Sequence, residues 1–494
     1  AGERIAAVGD LTGKRADREG DAREQIIAPG FIDLHSHSDL SLHWDGLSAS
    51  KIRQGVTTEV VGQDGRSAAP MSWAERAERE GYYKSSWGSI VPWNTFEDYF
   101  ARLEDRGIAL NVVTMAGAGT LRYYVAGRQT FPLSGLALKE ARKAMARARA
   151  AGVPHLSSGL EYLPGAYATE KELVGLAREA TLYVTHLRNE DDRVLEAMAE
   201  AVRIARAAGV HLHISHIKAQ GRRNWSKLPE MLRVMDRARG LRRQVTCDRY
   251  PYTAYNTSLM SLYPIWARAG ENRSEAVRRL ADPRLRAKIK SGVERKVASI
   301  GSYDDIMVSE AGGAYAWLQG RRLGEAARSV GEAPFDLLHR VVLGTGGRST
   351  MVGFAMDENN LHTLLRYKHC AIASDGAGMY ADGGGRPHPR HFGAFPRVLG
   401  KYVRDEGIIP MGEAVRKMSA LPAQILGLKE RGQVQAGYFA DLVVFDPARV
   451  RDRATFLKPR VYAEGITQVL VNGRFALENG DQTGERPGRA LRVL

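Results

Sequence analysis

Eight short apolar runs recur along the chain, and most of them are followed by a stretch with helical periodicity. Alternating strand and helix patterns favour βα units, in which the strands pair in parallel. Eight units are the number found in a closed (β/α)8 barrel of the TIM type, which is the α/β architecture that we predict. A doubly wound open sheet is the alternative, disfavoured because no Gly-x-Gly-x-x-Gly follows the first run. The runs cover residues 31–34, 58–61, 110–113, 156–160, 182–187, 212–217, 244–247 and 370–373.

Two regions depart from this alternation. Residues from about 255–345 lie between the seventh and eighth runs, and we interpret them as a lid-like insertion over the barrel mouth. After residue 428 the pattern changes to short strands with turns, and residues 1–27 have the same character. We therefore predict a barrel domain over 28–428 and a small β-sandwich domain formed from both chain ends, 1–27 and 429–494.

The composition excludes several classes of protein. The 494 residues are 44% hydrophobic and 26% charged, which is ordinary for a globular chain and too apolar for a disordered one. No apolar run approaches the roughly 20 residues that span a bilayer, so we expect no membrane partner. The net charge of +15 attracts anions, but the basic residues form no dense block, so we expect no nucleic-acid partner. Cys247 and Cys370 are too few for a disulfide framework or a cysteine-rich zinc module.

The N-terminus carries no charged and apolar leader, so we expect a cytoplasmic bacterial protein. The sequence leaves export from the cytoplasm open as an alternative, because the chain begins within a strand pattern, as a trimmed N-terminus would. The sequence also leaves open whether the protein forms a homo-oligomer.

Histidine and aspartate residues stand where several predicted strands end. His35 and His37 follow the first strand, and residues two apart on a strand point to the same side, as paired metal ligands must. His186 ends the fifth run, His216 lies in the last residues of the sixth, and Asp375 follows the eighth. Since the C-terminal strand ends of a barrel meet at one mouth, the sequence predicts that these five side chains ring a metal site.

With this arrangement the chain resembles the amidohydrolase superfamily of metal-dependent hydrolases. The resemblance runs from PGFIDLHSH at 29–37 to ADLVVF at 440–445. Four stretches resemble the N-acyl-D-amino-acid deacylases, or D-aminoacylases: SGLEYLPG at 158–165, THLRNE at 185–190, SHIK at 215–218 and HPR at 388–390. The resemblance implies a zinc enzyme with one or two divalent ions, which cleaves small-molecule N-acyl-D-amino acids to a carboxylate and a free D-amino acid.

The chain departs from this family at three positions. Asp64 stands where D-aminoacylases carry a cysteine ligand, and a carboxylate favours harder metals than a thiolate does. Glu161 follows the fourth strand, where other amidohydrolases have a bridging carboxylate, so we expect Glu161 to bridge the ions. Asp64 is the alternative, either as a ligand or as a turn residue. Ala118 replaces a family histidine, which removes a hydrogen-bond donor near the mouth.

The resemblance also implies roles in the reaction. Asp375 is expected to take a proton from water and return it to the leaving nitrogen, as a general base and then a general acid. No Gly-x-Ser-x-Gly motif offers a competing serine nucleophile. Lys218, Arg390 and a tyrosine of the pair Tyr250 and Tyr252 are expected to bind the substrate α-carboxylate.

Two other functions stay open at this point. One is an amidohydrolase that acts on a cyclic amide, a dipeptide or another N-acylated amine. The other is a catalytically inactive barrel that binds other molecules, which the intact set of histidine and aspartate residues disfavours.

Overall fold

The computed structural model describes residues 2–16, 18–73, 75–77, 80, 84, 90–127, 130–240, 244–270 and 272–493. In this part of the chain the strands are β1 (Ile26–Pro29), β2 (Phe31–Asp33), β3 (Val56–Val61), β4 (Asn111–Thr114), β5 (Ala116–Gly117), β6 (His155–Gly159), β7 (Leu182–His186), β8 (His211–Ile214), β9 (Val245–Arg249), β10 (Ala254–Ser258), β11 (Ile306–Glu310), β12 (Thr350–Phe354), β13 (Cys370–Ile372), β14 (Leu442–Phe445), β15 (Ile466–Val471), β16 (Arg474–Glu478) and β17 (Asp481–Gln482).

The α-helices of the same residues are Ser41–Trp44, Ala49–Ile52, Phe96–Arg106, Ala118–Ala126, Gly135–Ala150, Glu170–Ala177, Val194–Ala208, Leu228–Gly240, Ile265–Arg268, Arg273–Leu280, Arg286–Ile300, Leu323–Ser329, Pro334–Gly344, Glu358–Arg366, Arg390–Arg397, Met411–Met418 and Ala420–Leu426. A π-helix covers Val398–Asp405, and short 3-10 helices cover Gly165–Tyr167, Arg222–Lys227, Leu259–Leu262, Pro283–Leu285, Tyr303–Asp305 and Gly313–Leu318. No helix in the described ranges is both long enough and apolar enough to cross a membrane.

The predicted α/β class with parallel strands is confirmed. One parallel sheet has the order β2-β3-β4, and a second has the order β5-β6-β7-β8-β9-β13. Each of the eight apolar runs forms one of these strands, with ends shifted by up to about three residues from the predicted bounds.

The two parallel sheets are linked at both of their edges. Only Met115 separates β4 from β5, and its backbone N–H donates to the carbonyl of Val61 at 3.0 Å. At the other edge Ser36 and Gly376 form a parallel bridge, and the backbone N–H of Asp375 donates to the carbonyl of His35 at 2.9 Å. These contacts join the segment after β2 to the segment after β13, so the C-terminal ends of both strands lie together.

Helix Val194–Ala208 illustrates how the sequence builds one βα unit. Its buried side chains recur every three or four residues, which gives the helix one apolar face against the sheet. Gly209 then ends the helix with φ +80°, a left-handed conformation that glycine adopts without strain. The next strand, β8, begins two residues later at His211 and carries the chain toward His216.

The strand residues divide between two apolar clusters, because neighbouring side chains of a strand point to opposite faces. Phe31 belongs to the larger cluster, which is shared with the surrounding helices. Ile32 belongs to a smaller cluster with Val60, Val113 and Val184, which also packs against helix Ala420–Leu426.

Both chain ends join in one antiparallel sheet with the order β1-β14-β15-β16-β17. Ile26 lies opposite Phe445 in the register of β1 and β14. The ring of Phe445 lies 6.5 Å from that of Phe31, so this sheet packs against the start of β2. The described residues of the two ends therefore share one sheet, whereas the division into domains and the sandwich form stay predictions.

The segment between β9 and β13 contains a separate three-stranded antiparallel sheet with the order β10-β12-β11. Helices Arg286–Ile300 and Pro334–Gly344 lie in the same segment. The guanidinium of Arg268 donates to the backbone carbonyl of Glu161 at 2.9 Å, and Lys296 pairs with Asp191 at 2.8 Å. The insertion thus contacts the loops that follow β6 and β7.

A buried cation links strands β2 and β3 to the segment that follows β13. The ammonium of Lys51 lies 2.6 Å from Asp33 and 3.0 Å from Glu59, and all three side chains are fully buried. Lys51 also donates to the hydroxyl of Ser374 and to the carbonyl of Gly376. Burial alone would lower the pKa of Lys51, but the two carboxylates raise it, so the group stays an ammonium.

Lys51→Met is expected to reduce the free energy of unfolding by about 3–5 kcal/mol, because the variant leaves two buried carboxylates without their cation. Urea denaturation followed by circular dichroism measures this change. Lys143→Met is the control, since Lys143 pairs with Glu140 at the surface and its loss is expected to cost less than about 1 kcal/mol. Equal stability of the two variants would contradict the bracing role of Lys51.

Candidate metal centre

The segment after β2 brings two imidazoles to the C-terminal end of the strand. The rings of His35 and His37 lie 5.2 Å apart, and His35 is fully buried. On its far side, Nδ1 of His35 lies 3.5 Å from a carboxylate oxygen of Asp248, a residue of β9. The imidazole pair that the sequence predicts is therefore present. Asp248 faces Nδ1 of the His35 ring, on the side opposite Nε2.

Asp64 occupies the middle of the cluster. Its Oδ1 lies 3.6 Å from Nε2 of His35 and 3.5 Å from Nε2 of His216. Its Oδ2 lies 3.7 Å from Nε2 of His37 and 3.8 Å from Nδ1 of His186. Burial would raise the pKa of Asp64, but the surrounding imidazoles, His216 and His35 foremost, hold it below its usual range. Asp64 thus faces all four predicted histidines.

Asp375 lies on the side of His37. Its Oδ1 is 3.1 Å from Nε2 of His37 and 3.7 Å from Nε2 of His35, while its Oδ2 accepts from Arg390 at 2.6 Å. Burial raises the pKa of Asp375, but the Arg390 guanidinium and the imidazoles of His216 and His37 hold it well below the usual range. The carboxylate is therefore charged, with one oxygen toward the histidines and one toward the guanidinium.

His186 and His216 form the opposite side. Nδ1 of His186 lies 3.0 Å from Nε2 of His216, and both rings are buried. Glu161 reaches only this edge, with Oε2 3.7 Å from Nε2 of His186. The sequence predicts Glu161 as the bridging carboxylate, whereas the geometry puts Asp64 in the shared position and Glu161 at the rim.

Three of these residues have an unusual backbone. Asp64, His216 and Asp375 have φ values of +54°, +32° and +53°, which non-glycine residues rarely adopt. Such strained conformations cluster at functional sites, where the surrounding structure holds them in place. At these three residues the left-handed backbone lies just after a strand end and directs the side chain into the cluster.

The donor atoms of the cluster fit a divalent cation. Nε2 of His35 and Oδ1 of Asp64 are buried without a hydrogen-bond partner, although they face each other at 3.6 Å inside the cluster. Potential ligand atoms of His35, His37, Asp64 and Asp375 lie within 4.8 Å of one another, and so do those of Asp64, His186 and His216. Imidazole and carboxylate donors in groups of three or four are the ligands that zinc and similar ions take. Asp64 belongs to both groups.

Comparison with known proteins agrees with this chemistry. A family model described as "Amidohydrolase family" matches residues 18–476. The chain belongs to the amidohydrolase family. Among the family's curated members, a D-aminoacylase of Alcaligenes xylosoxydans xylosoxydans is 35% identical, over 99% of this chain and 92% of that protein. An N-acyl-D-glutamate deacylase of the same organism is 34% identical, over 99% of this chain and 91% of the relative.

Solved structures of amidohydrolases match over the same length. A D-aminoacylase with a binuclear metal centre superposes with a TM-score of 0.82 at 34% identity, covering 99% of this chain and 94% of the other. An N-acyl-D-glutamate deacylase from Bordetella bronchiseptica, complexed with zinc and a phosphonate inhibitor, gives a TM-score of 0.83 at 32% identity with the same coverage.

The residues that the amidohydrolase resemblance implies for substrate binding lie around the cluster. Lys218 is buried and pairs with Glu190 at 2.6 Å. Arg390 is the first residue of helix Arg390–Arg397, and its guanidinium lies 5.1 Å from the centre of the Tyr250 ring. The hydroxyl of Tyr250 is buried without a hydrogen-bond partner. The cations and the hydroxyl thus border the cluster, although each cation already has a carboxylate partner.

Tyr252 lies apart from the other three. Its ring packs at 5.0 Å from His388 and 6.4 Å from Phe456, and the Arg397 guanidinium lies over it. Of the tyrosine pair, Tyr250 is the one near the histidines, with its ring 6.5 Å from that of His216. Ala118 is buried at the start of helix Ala118–Ala126, and the neighbouring Gly117 packs against the backbone of Gly65, next to Asp64.

Sequence reasoning missed two residues of this site, Glu190 and Asp248. Asp248 accepts from Nε2 of His213 at 2.8 Å and from the backbone N–H of His216 at 2.8 Å, besides facing His35. Glu190 contacts both Lys218 and His216, which also contact each other. The available signal was an acidic residue within or just after a predicted strand, but that pattern does not show which way the side chain turns.

Proposed function

We propose that this chain is a metal-dependent hydrolase that cleaves the amide bond of N-acyl-D-amino acids, giving a carboxylate and a free D-amino acid. The observation that carries the proposal is the convergence of four imidazoles and two carboxylates, His35, His37, His186, His216, Asp64 and Asp375. Relatives that span nearly the whole chain are named D-aminoacylase and N-acyl-D-glutamate deacylase, which supports this substrate class.

The ligands would be divided between two groups. His35, His37 and Asp375 would hold one ion, His186 and His216 a second, and Asp64 would be common to both. Zinc is the metal that we propose, since the relative from Bordetella bronchiseptica is described with zinc. A divalent ion in such a donor set polarises the carbonyl of a bound amide and makes water more acidic.

Asp375 would act first as the general base and then as the general acid of the reaction. Its Oδ1, on the histidine side, takes a proton from the water that attacks the carbonyl carbon. The same oxygen then gives the proton to the nitrogen as the carbon–nitrogen bond breaks, so that the products are a carboxylate and an amine. Arg390 holds Oδ2 and keeps the carboxylate oriented during both transfers.

The α-carboxylate of the substrate needs cations and donors at the mouth of the site. Arg390 supplies a guanidinium suited to bidentate contact, and Tyr250 supplies a hydroxyl that has no partner in the described residues. Lys218 adds positive charge close to the cluster. Tyr252 would have a supporting role in packing beside these residues, since its ring packs on His388 and Phe456.

The architecture that we propose is a closed (β/α)8 barrel with a lid and a small β domain. The contacts through Met115 and between Ser36 and Gly376 support closure of the two parallel sheets. The contacts of Arg268 and Lys296 with loops beside the cluster support a lid in the insertion of about 255–345. We keep the domain bounds of 1–27, 28–428 and 429–494 from the sequence, and the sheet shared by both ends supports a unit built from the two ends, although its strand β1 extends to Pro29.

The proposed ligand is a small molecule, and no nucleic-acid or membrane partner is part of the proposal. A cytoplasmic location and the oligomeric state stay predictions from the sequence.

Hydrolysis of matched N-acetyl-D- and N-acetyl-L-amino acids tests the proposal. We expect turnover of D substrates in the presence of zinc, a clear preference over the L isomers, and loss of activity after chelation that added zinc restores. The free amine released by each substrate is the measured quantity. Turnover confined to cyclic amides would contradict the substrate class and favour another amidohydrolase reaction.

A further inference from the structure

The two ring nitrogens of His216 face different surroundings. Nε2 points into the cluster, 3.5 Å from Oδ1 of Asp64 and 3.0 Å from Nδ1 of His186. Nδ1 points away from it, 2.9 Å from Nζ of Lys218 and 3.2 Å from Oε1 of Glu190. All of these side chains are buried, so water does not replace the contacts.

The neighbours of Nδ1 favour opposite tautomers of the ring. A neutral imidazole carries hydrogen on one nitrogen and a lone pair on the other. The ammonium of Lys218 can only donate, so its hydrogen bond to Nδ1 requires the hydrogen on Nε2, where it blocks metal binding. The carboxylate of Glu190 can only accept, so it requires the hydrogen on Nδ1 and leaves the lone pair of Nε2 free.

Glu190 also engages the competing ammonium. Nζ of Lys218 lies 2.6 Å from Oε1 of Glu190, closer than its 2.9 Å approach to Nδ1 of His216. A charge-assisted contact of that length is stronger than donation to a neutral ring nitrogen. One carboxylate oxygen can therefore hold the ammonium and still accept from the ring.

We propose that Glu190 is a positioning residue of the metal centre, which pairs with the Lys218 ammonium and accepts from Nδ1 of His216, and so fixes the tautomer with Nε2 free. Outer carboxylates that accept from a ligating imidazole commonly orient the ring and raise its basicity. The inference rests on the proposed function, because it assigns Nε2 of His216 to a bound ion.

Zinc affinity of the metal-free protein, measured by competition with a chromophoric chelator, tests this role. Glu190→Gln is expected to weaken zinc binding by about 10–100-fold, the usual cost of losing such an outer partner. Adding Lys218→Met removes the donor that favours the wrong tautomer, while the glutamine oxygen can still accept from Nδ1. The double variant E190Q/K218M is therefore expected to bind zinc more tightly than E190Q.

A second pair of variants keeps the test valid if E190Q fails to fold. E190Q/K218M and E190L/K218M both remove the charges of the pair, but only the first retains an acceptor for Nδ1. We expect the leucine variant to bind zinc about 10-fold more weakly than the glutamine variant. Equal affinities of these two proteins would overturn the proposal, as would an E190Q protein that binds zinc like the parent.

Glu172→Gln is the matched control. Glu172 is as buried as Glu190 and pairs with Arg122 at 2.7 Å, but it lies on helix Glu170–Ala177, outside the cluster. We expect this variant to lose stability while its zinc affinity stays that of the parent. Zinc binding by the parent with no effect of E190Q would overturn this inference alone, whereas no zinc binding by the parent would overturn the proposed function with it.

Discussion

Asp375→Asn is expected to lower kcat/KM for an N-acyl-D-amino acid by about 10²–10⁴-fold, the range that a positioned acid–base residue contributes. Asparagine has the same size and tolerates the left-handed backbone of this position, which has φ +53°. Its amide oxygen can still accept from Arg390, so that contact survives, while the carboxylate oxygen that faces His37 and His35 is replaced by the amide nitrogen. The amide cannot take a proton from water, so the variant removes the proton-transfer function together with one ligand of the ion that His35 and His37 would hold. Steady-state kinetics together with zinc analysis of the same preparation measure the effect.

The zinc content separates catalysis from metal binding in this variant. His186, His216 and Asp64 are unchanged, so we expect the protein to retain at least the ion held by that group. Asp105→Asn is the control, since the exposed Asp105 pairs with Arg102 on helix Phe96–Arg106, outside the cluster, and should not affect kcat/KM. A D375N protein with its zinc and the full kcat/KM of the parent would contradict the proton-transfer role.

The fold could be predicted largely from local patterns. Apolar β-branched runs alternating with amphipathic helices require strands that are covered by helices, and helix Val194–Ala208 with its Gly209 stop is a clear case. The pairing of β1 with β14 and the bridge between Ser36 and Gly376 join residues hundreds of positions apart. Only the folded chain shows which of the strand ends become neighbours.

The metal cluster could be predicted because its histidines stand at strand ends. The direction of strands β2 and β7 then carries His35 and His186 to the same edge. The roles of the carboxylates could not be predicted in the same way, since each depends on the backbone of a short turn. The left-handed backbone of Asp64 aims its oxygens between the imidazoles, whereas Glu161 turns toward His186 alone.

The ion pairs that Lys218 and Arg390 form with acidic residues also could not be predicted from the sequence. The resemblance implied that Lys218 and Arg390 bind a substrate carboxylate, and it gave no ion-pair partner for either cation. In the folded chain each contacts an acidic residue, Glu190 or Asp375, that belongs to another loop. In the proposed function a substrate carboxylate would therefore share these cations with the protein, which would tie substrate binding to the charges of the metal centre.

Asp64→Asn and Glu161→Gln together test which carboxylate is shared by the two groups of ligands. Asp64→Asn is expected to weaken zinc binding by more than about 100-fold, since even the loss of an outer partner costs about 10–100-fold. Asparagine tolerates φ +54°, so the turn is preserved, but it offers one weak ligand oxygen in place of two charged ones. Activity should fall in parallel, because both groups of ligands lose a member.

Glu161→Gln is expected to leave zinc affinity within a few-fold of the parent, because Glu161 contacts His186 from the rim of the cluster and reaches none of the other predicted histidines. The two variants each exchange one carboxylate for its amide, at the buried Asp64 and at the partly buried Glu161, so they differ mainly in position rather than in chemistry. Chelator competition on both proteins gives the comparison directly. A large loss of zinc in E161Q with little change in D64N would reverse the assignment, and would make Glu161 the bridging ligand that the amidohydrolase resemblance predicts.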